Sequence, residues 1–83
     1  MAEILIGEVI DYFAKVGVVA LRLTGSLKVG DRIKIKGGEH EFEQEVESIQ
    51  IDRNPVESAD DGDEAGIKVS ERAHKGNKVY LVN

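Results

Sequence analysis

The residue types that could carry chemistry are few, and their spacing decides how they read. His40 and His74 stand apart, with no H-x-x-x-H pair and no cysteine in the chain, so neither a metal site nor a thiolate nucleophile is expected. Ser26, Ser48, Ser58 and Ser70 lack the G-x-S-x-G setting that presents a nucleophile on a strained turn. No G-x-x-x-x-G-K-[ST] loop is present to cradle a nucleotide. Asp60, Asp61, Asp63 and Glu64 are dense in carboxylate but lack the residue order and the later bidentate Glu of a calcium loop. Asp and Gly at that density read as a solvated turn. No catalytic residue, metal ligand or cofactor is expected, and the chain reads as a non-enzyme.

Cations are the next candidates, because nucleic acid is the partner they would suit. Arg32, Lys34 and Lys36 alternate along one face and would form a phosphate-binding stripe if read alone. Glu41, Glu43, Glu45 and Glu47 alternate in the same way just downstream. Closing a hairpin over Gly37–His40 sets Lys36 against Glu41, Lys34 against Glu43 and Arg32 against Glu45, with Ile35 opposite Phe42 on the other face. Opposite charges directly across strands contribute about 0.2–1 kcal/mol per pair and fix register, so this stripe is neutralised. Arg22, Lys28, Lys68, Arg72, Lys75 and Lys78 remain as the better phosphate contacts. Tyr12, Phe13, Phe42 and Tyr80 are the only aromatic residues. Phe13 and Phe42 are expected in the core, which leaves few rings as stacking platforms for a single strand.

The elements that must position these residues follow period two. Ile4 to Phe13 and Val16 to Thr24 are rich in β-branched residues, with Val19, Leu21 and Leu23 on one face and Val18, Ala20 and Arg22 on the other. Lys15-Val16-Gly17 supplies the turn between them. After Val46 the apolar parity moves to Ile49 and Ile51, which predicts a β-bulge near Glu47-Ser48. Asn54-Pro55 is expected to end that strand, Val56 to Ala59 to form a helical turn, and Asp60 to Asp63 a tight turn. Ile67 and Val69 mark a further strand, His74 to Asn77 a turn, and Val79 to Val82 the last strand. Six or seven short strands with nine glycines predict an all-β fold, a small closed antiparallel barrel occupying residues 1–83 as one domain.

The chain has 83 residues, a mass of 9.1 kDa, a net charge of −5 and a pI near 4.9. A chain of this size buries only about 60% of its unfolded surface, so one modest core is expected. The negative balance disfavours a uniform grip on phosphates, yet it is uneven: eleven acids face Arg53 alone in residues 39–64, while both flanks are mildly basic. Val18 to Leu21 is the longest apolar run and is too short to cross a bilayer. The start Met1-Ala2-Glu3 shows no signal peptide, so a cytoplasmic location and no membrane partner are expected.

Several turn signatures in order resemble the second domain of translation GTPases, the β-barrel of elongation factor Tu, elongation factor G and bacterial initiation factor two. Gly7-Glu8-Val9 is similar to that family's G-x-V, and Leu27-Lys28-Val29-Gly30-Asp31 to its L-K-x-G-D. Val46-Glu47-Ser48-Ile49-Gln50 is similar to V-x-S-I-Q, and Ala59, Gly62, Asp63 and Gly66 to A-x-x-G-D-x-x-G. The resemblance covers about residues 6 to 82 and implies a barrel of the translation-protein type without a GTPase domain. It implies contact with tRNA, ribosomal RNA or a translation-related protein, and it places Glu47 where an acid lies beside the terminal adenosine of tRNA. On this resemblance the chain is a non-catalytic, RNA- or ribosome-associated binding module and a monomer, with Arg22, Lys28, Glu47, Lys68, Arg72, Lys75 and Lys78 as contact candidates. The alternative is a protein–protein adaptor barrel that docks on an enzyme or ribonucleoprotein without touching RNA. The acidic segment 39–64 favours that alternative, since it could meet a basic partner.

Overall fold

The computed structural model describes residues 3–82. Alternation of apolar and polar residues gives ten strands and, among the described residues, no helix: β1 (Glu3–Phe13), β2 (Val18–Leu23), β3 (Leu27–Lys28), β4 (Arg32–Gly37), β5 (His40–Glu45), β6 (Ile49–Ile51), β7 (Asn54–Val56), β8 (Ser58–Ala59), β9 (Glu64–Lys68) and β10 (Lys78–Val82). Eight of them form one antiparallel sheet in the order β5-β4-β10-β1-β2-β9-β6-β7, and β3 pairs with β8 as a separate ribbon. No helix among the described residues is long and apolar enough to cross a membrane.

The inward rows are apolar, as period two requires. Val19, Ile67 and Ile49 stand opposite one another across β2, β9 and β6. Val9, Leu21 and Ala65 do the same across β1, β2 and β9. These side chains join Ile33, Ile35, Phe42, Val46 and Val79 in one buried cluster, and no charged or polar residue lies within it. Desolvating that apolar surface is what holds the sheet curled around its own side chains.

Three turns share one construction. In Lys28–Asp31, Asp60–Asp63 and His74–Asn77 the fourth residue donates its N–H to the carbonyl of the first, at 3.1, 3.0 and 3.1 Å. The carboxylate or amide oxygen of that fourth residue accepts the N–H of the first, at 3.0, 2.8 and 3.0 Å. The third residue is glycine each time, with φ of +97°, +92° and +89°. This is the type II turn, whose third position favours glycine.

The β4–β5 hairpin has the expected register from Arg32↔Glu45 to Lys36↔Glu41, although Gly37 pairs with His40 and only Gly38-Glu39 form the loop. Asn54-Pro55 opens β7 instead of ending the strand before it, which stops at Ile51, and four further expectations fail. The sheet is not a closed six- or seven-stranded barrel: β5 and β7 are its edges, and β7 is three residues long with Pro55, which has no N–H to extend a ladder. The parity change after Val46 is not a bulge. The strand stops at Glu45, Val46 bonds to Asp31 and Gly30, and β6 starts again against β9; the bulges lie in β1, between Leu5 and Gly7 and between Val9 and Asp11. Val56 to Ala59 is extended rather than helical, because Ser58 and Ala59 pair with β3. Phe13 is 49% exposed, while Phe42 is buried, because Phe13 sits on the outward parity at the end of β1.

Candidate functional site

The outer wall carries a transverse charge row six strands wide. Glu41 of β5, Lys36 of β4, Lys78 of β10, Glu8 of β1, Arg22 of β2 and Glu64 of β9 stand in register across six neighbouring strands. Three cations and three carboxylates cancel along it. Lys78 Nζ lies 3.7 Å from Glu8 and Arg22 Nη2 lies 3.4 Å from Glu64. Of the two expected phosphate contacts in this row, Arg22 stands between Glu8 and Glu64, and Lys78 between Lys36 and Glu8. No local sequence signal could have found this row, since it depends on the non-local pairing of β10 with β1 and β4.

On the neighbouring row the ion pairs run diagonally rather than straight across. Arg32 Nε bonds Glu43 at 3.1 Å, and Lys34 Nζ engages Glu3 of β1 and, at 3.6 Å, Glu41. Hydrogen bonding to Glu3 raises the Lys34 pKa above its ordinary value, with further help from the charges of Glu3, Glu41 and Glu43 and against the cost of desolvation. Sequence reasoning missed Glu3, which approaches from a strand that is not adjacent to β4.

The other candidates separate to different places. Lys68 ends β9 in the row Phe13↔Val18↔Lys68, beside the β1–β2 turn. Arg72 and Lys75 lie on the following loop, which is tied to the same end by Val69 N–H to Gly17 O at 2.9 Å and Gly76 N–H to Val9 O at 2.8 Å. Lys28 lies at the opposite end, on the β3–β8 ribbon. Glu47 is exposed in the segment that crosses from β5 to β6. The seven candidates thus form no common surface. His40 stacks obliquely on Phe42, with 5.7 Å between ring centroids, and lies 3.5 Å from Glu71, so it belongs to a surface contact. Among the described residues no cluster of His, Asp or Glu is arranged to hold a metal.

Beside the ribbon an open depression of about 400 Å³ is lined by Ser26, Leu27, Lys28, Asp31, Ser58 and Leu81. Lys28 and Asp31 belong to the lining itself, with Glu57 next to Ser58 and Asp60 bonded to Ser26 beside it. The two ends of the molecule differ in charge: the end with the β1–β2 turn has Lys15, Lys68, Arg72 and Lys75 against Asp11, Glu39 and Glu71, while the ribbon end sets Asp31, Glu57 and Asp60 against Lys28.

No family model matches the chain. An uncharacterized protease of Methanocaldococcus jannaschii is 37% identical over 81 residues, covering 96% of this chain and 20% of the relative. A collagenase of Porphyromonas gingivalis is 34% identical over 80 residues, covering 94% of this chain and 19% of its own length. The chain thus spans about a fifth of the curated relatives it matches. Two crystal structures of the C-terminal domain of a putative U32 peptidase from Geobacillus thermoleovorans superpose with TM-scores of 0.90 and 0.86 at 22% identity; they cover 95% and 90% of this chain and 92% and 95% of their own. The fold is that of those domains.

These findings overturn the translation-factor resemblance and, with it, the RNA- and ribosome-associated function and the tRNA, ribosomal RNA and translation-related partners. The reason lies in what the shared motifs encode. Gly30-Asp31 and Gly62-Asp63 close two of the three type II turns, and Val46 to Gln50 is the crossing from β5 together with the start of β6. Such sequences specify a chain reversal, which proteins of unrelated activity share.

Proposed function

We propose that this chain is a non-catalytic accessory domain of a peptidase of the U32 kind, and that its surface handles polypeptide. The observation that carries this reading is a contrast of coverage. The chain matches about a fifth of the protease and collagenase relatives, yet nearly the whole of solved domains that stand outside the rest of a putative peptidase. Local chemistry is that of a contact surface: the core is apolar and the charged side chains lie outside it. One buried cluster serves the whole of residues 3–82, in keeping with a single unit.

The finer fold reading belongs with it. Gln44 donates through Nε2 to the Lys68 carbonyl at 2.7 Å and accepts the Ser70 N–H at 2.8 Å, so the curled sheet acts as a barrel whose seam is joined by one side chain instead of a ladder.

The test is a replacement. Substituting this chain for the matching 81 residues of the M. jannaschii protease is expected to preserve that protein's peptide hydrolysis, and the 83-residue chain alone is expected to leave gelatin and casein intact. Hydrolysis by the purified chain, persisting through repurification, overturns the reading.

A further inference from the structure

Among the described residues five large apolar side chains are exposed, and they divide between the two ends. Phe13 and Val16 are 49% and 63% exposed on the β1–β2 turn; Ile4, Leu5 and Val29 lie at or beside the ribbon end, 51%, 48% and 42% exposed. The turn is firmly held. Val16 and Gly17 both donate N–H to the Phe13 carbonyl, at 3.2 and 2.9 Å, and Gly17 accepts from Val69. It is therefore a convex apolar tip bordered by Lys15 and Lys68. The ribbon end is its converse, a concave surface floored by Leu27 and Leu81, where Asp31, Glu57 and Asp60 outnumber the one lining cation, Lys28.

The geometry points to association of this chain with a second copy of itself, head to tail: the Phe13–Val16 tip of one copy enters the Leu27–Leu81 depression of the next, and Lys15 and Lys68 approach the carboxylates around it. The contact joins two different surfaces, so each copy keeps one tip and one depression free, and addition continues beyond two. A tip of about five residues is far smaller than the roughly 20–30 residues a side of a stable interface. The association is accordingly weak, appears at high protein concentration, and weakens with salt because its charges are exposed.

Sedimentation equilibrium of the 83-residue chain, from micromolar to millimolar concentration at low and high salt, reads this directly. At low salt the average mass is expected to rise past the dimer as concentration rises, and to fall back at high salt. Phe13→Ser with Val16→Ser should weaken association by about tenfold or more, and so should Ser58→Lys with Glu57→Lys; all four positions are exposed, so unchanged circular dichroism spectra verify folding. Mixing the two double variants is the decisive arm, since one retains the depression and the other the tip. A mixture that forms a one-to-one pair and stops there supports the proposal. A mass of one chain at every concentration overturns it, as does association that survives both variants or a mixture that stays monomeric.

Discussion

The β4–β5 hairpin carries six cross-strand pairs closed over Gly38-Glu39, whereas β6–β7 carries three closed over Asp52-Arg53. Gly38 takes its φ of +59° without steric cost, but Asp52 and Arg53 stand at +53° and +66°, where a side chain crowds the backbone. The first hairpin is specified locally: alternation, opposite charges and a glycine turn all select one register. The second is held from outside, by Ile49 against Ile67 of β9. Core truncation should give the largest difference between them. Ile35 is buried opposite Phe42, and Ile35→Ala is expected to lower stability by about 2–5 kcal/mol in urea unfolding. Ile51 is half-buried beside its turn, and Ile51→Ala should cost about 1 kcal/mol. Equal losses would show that β6–β7 is anchored as firmly as β4–β5.

The turns give the next largest effect, with opposite signs. Replacing Asp52-Arg53 by Asn-Gly, the pair that favours two successive positive φ angles, should raise stability by about 1 kcal/mol. Gly38→Ala should lower it by a similar amount. A loss at both turns in thermal melts would mean that Asp52 and Arg53 make contacts whose value exceeds their strain.

The same contrast explains what was legible in the sequence. The β4–β5 register from Arg32↔Glu45 to Lys36↔Glu41 could be read because both partners of each pair lie within one hairpin, while the pairing of β4 with β10 could not. The turns at Asp60–Asp63 and His74–Asn77 were equally plain, since Gly followed by Asp or Asn is the turn. Residues 46–59 misled because their strands are two or three residues long and are selected by β3 and β9, far along the chain; Ser58-Ala59 has no period of its own. The charge row through Glu8 and Arg22 was hidden for the same reason. The turn motifs also carried the family resemblance too far, because they report chain reversals shared by many small β proteins.

A smaller effect tests whether charge or packing sets the β4–β5 register. Lys34→Glu would place a carboxylate among Glu3, Glu41 and Glu43. The melting temperature should fall at low salt and recover partly at high salt. An unchanged melting temperature at low salt would assign the register to Ile35 and Phe42 alone.

The smallest effect is the pH dependence of that same lysine, and its sign follows from the direction of its shift. Folding raises the Lys34 pKa above 10.5 through Glu3 and its neighbours, so the folded chain holds the proton more tightly than the unfolded one. The contribution is complete below pH 10.5 and is lost as pH climbs through the higher folded value. Lys34→Met removes the titrating group while keeping most of the stem. The gap in melting temperature between the parent and Lys34→Met should be constant from neutral pH to about pH 9.5 and should close above pH 10.5. A gap that stays open there would locate the value of Lys34 in its aliphatic stem packed on the sheet, and the two hairpins would then differ in turn geometry and length but not in electrostatics.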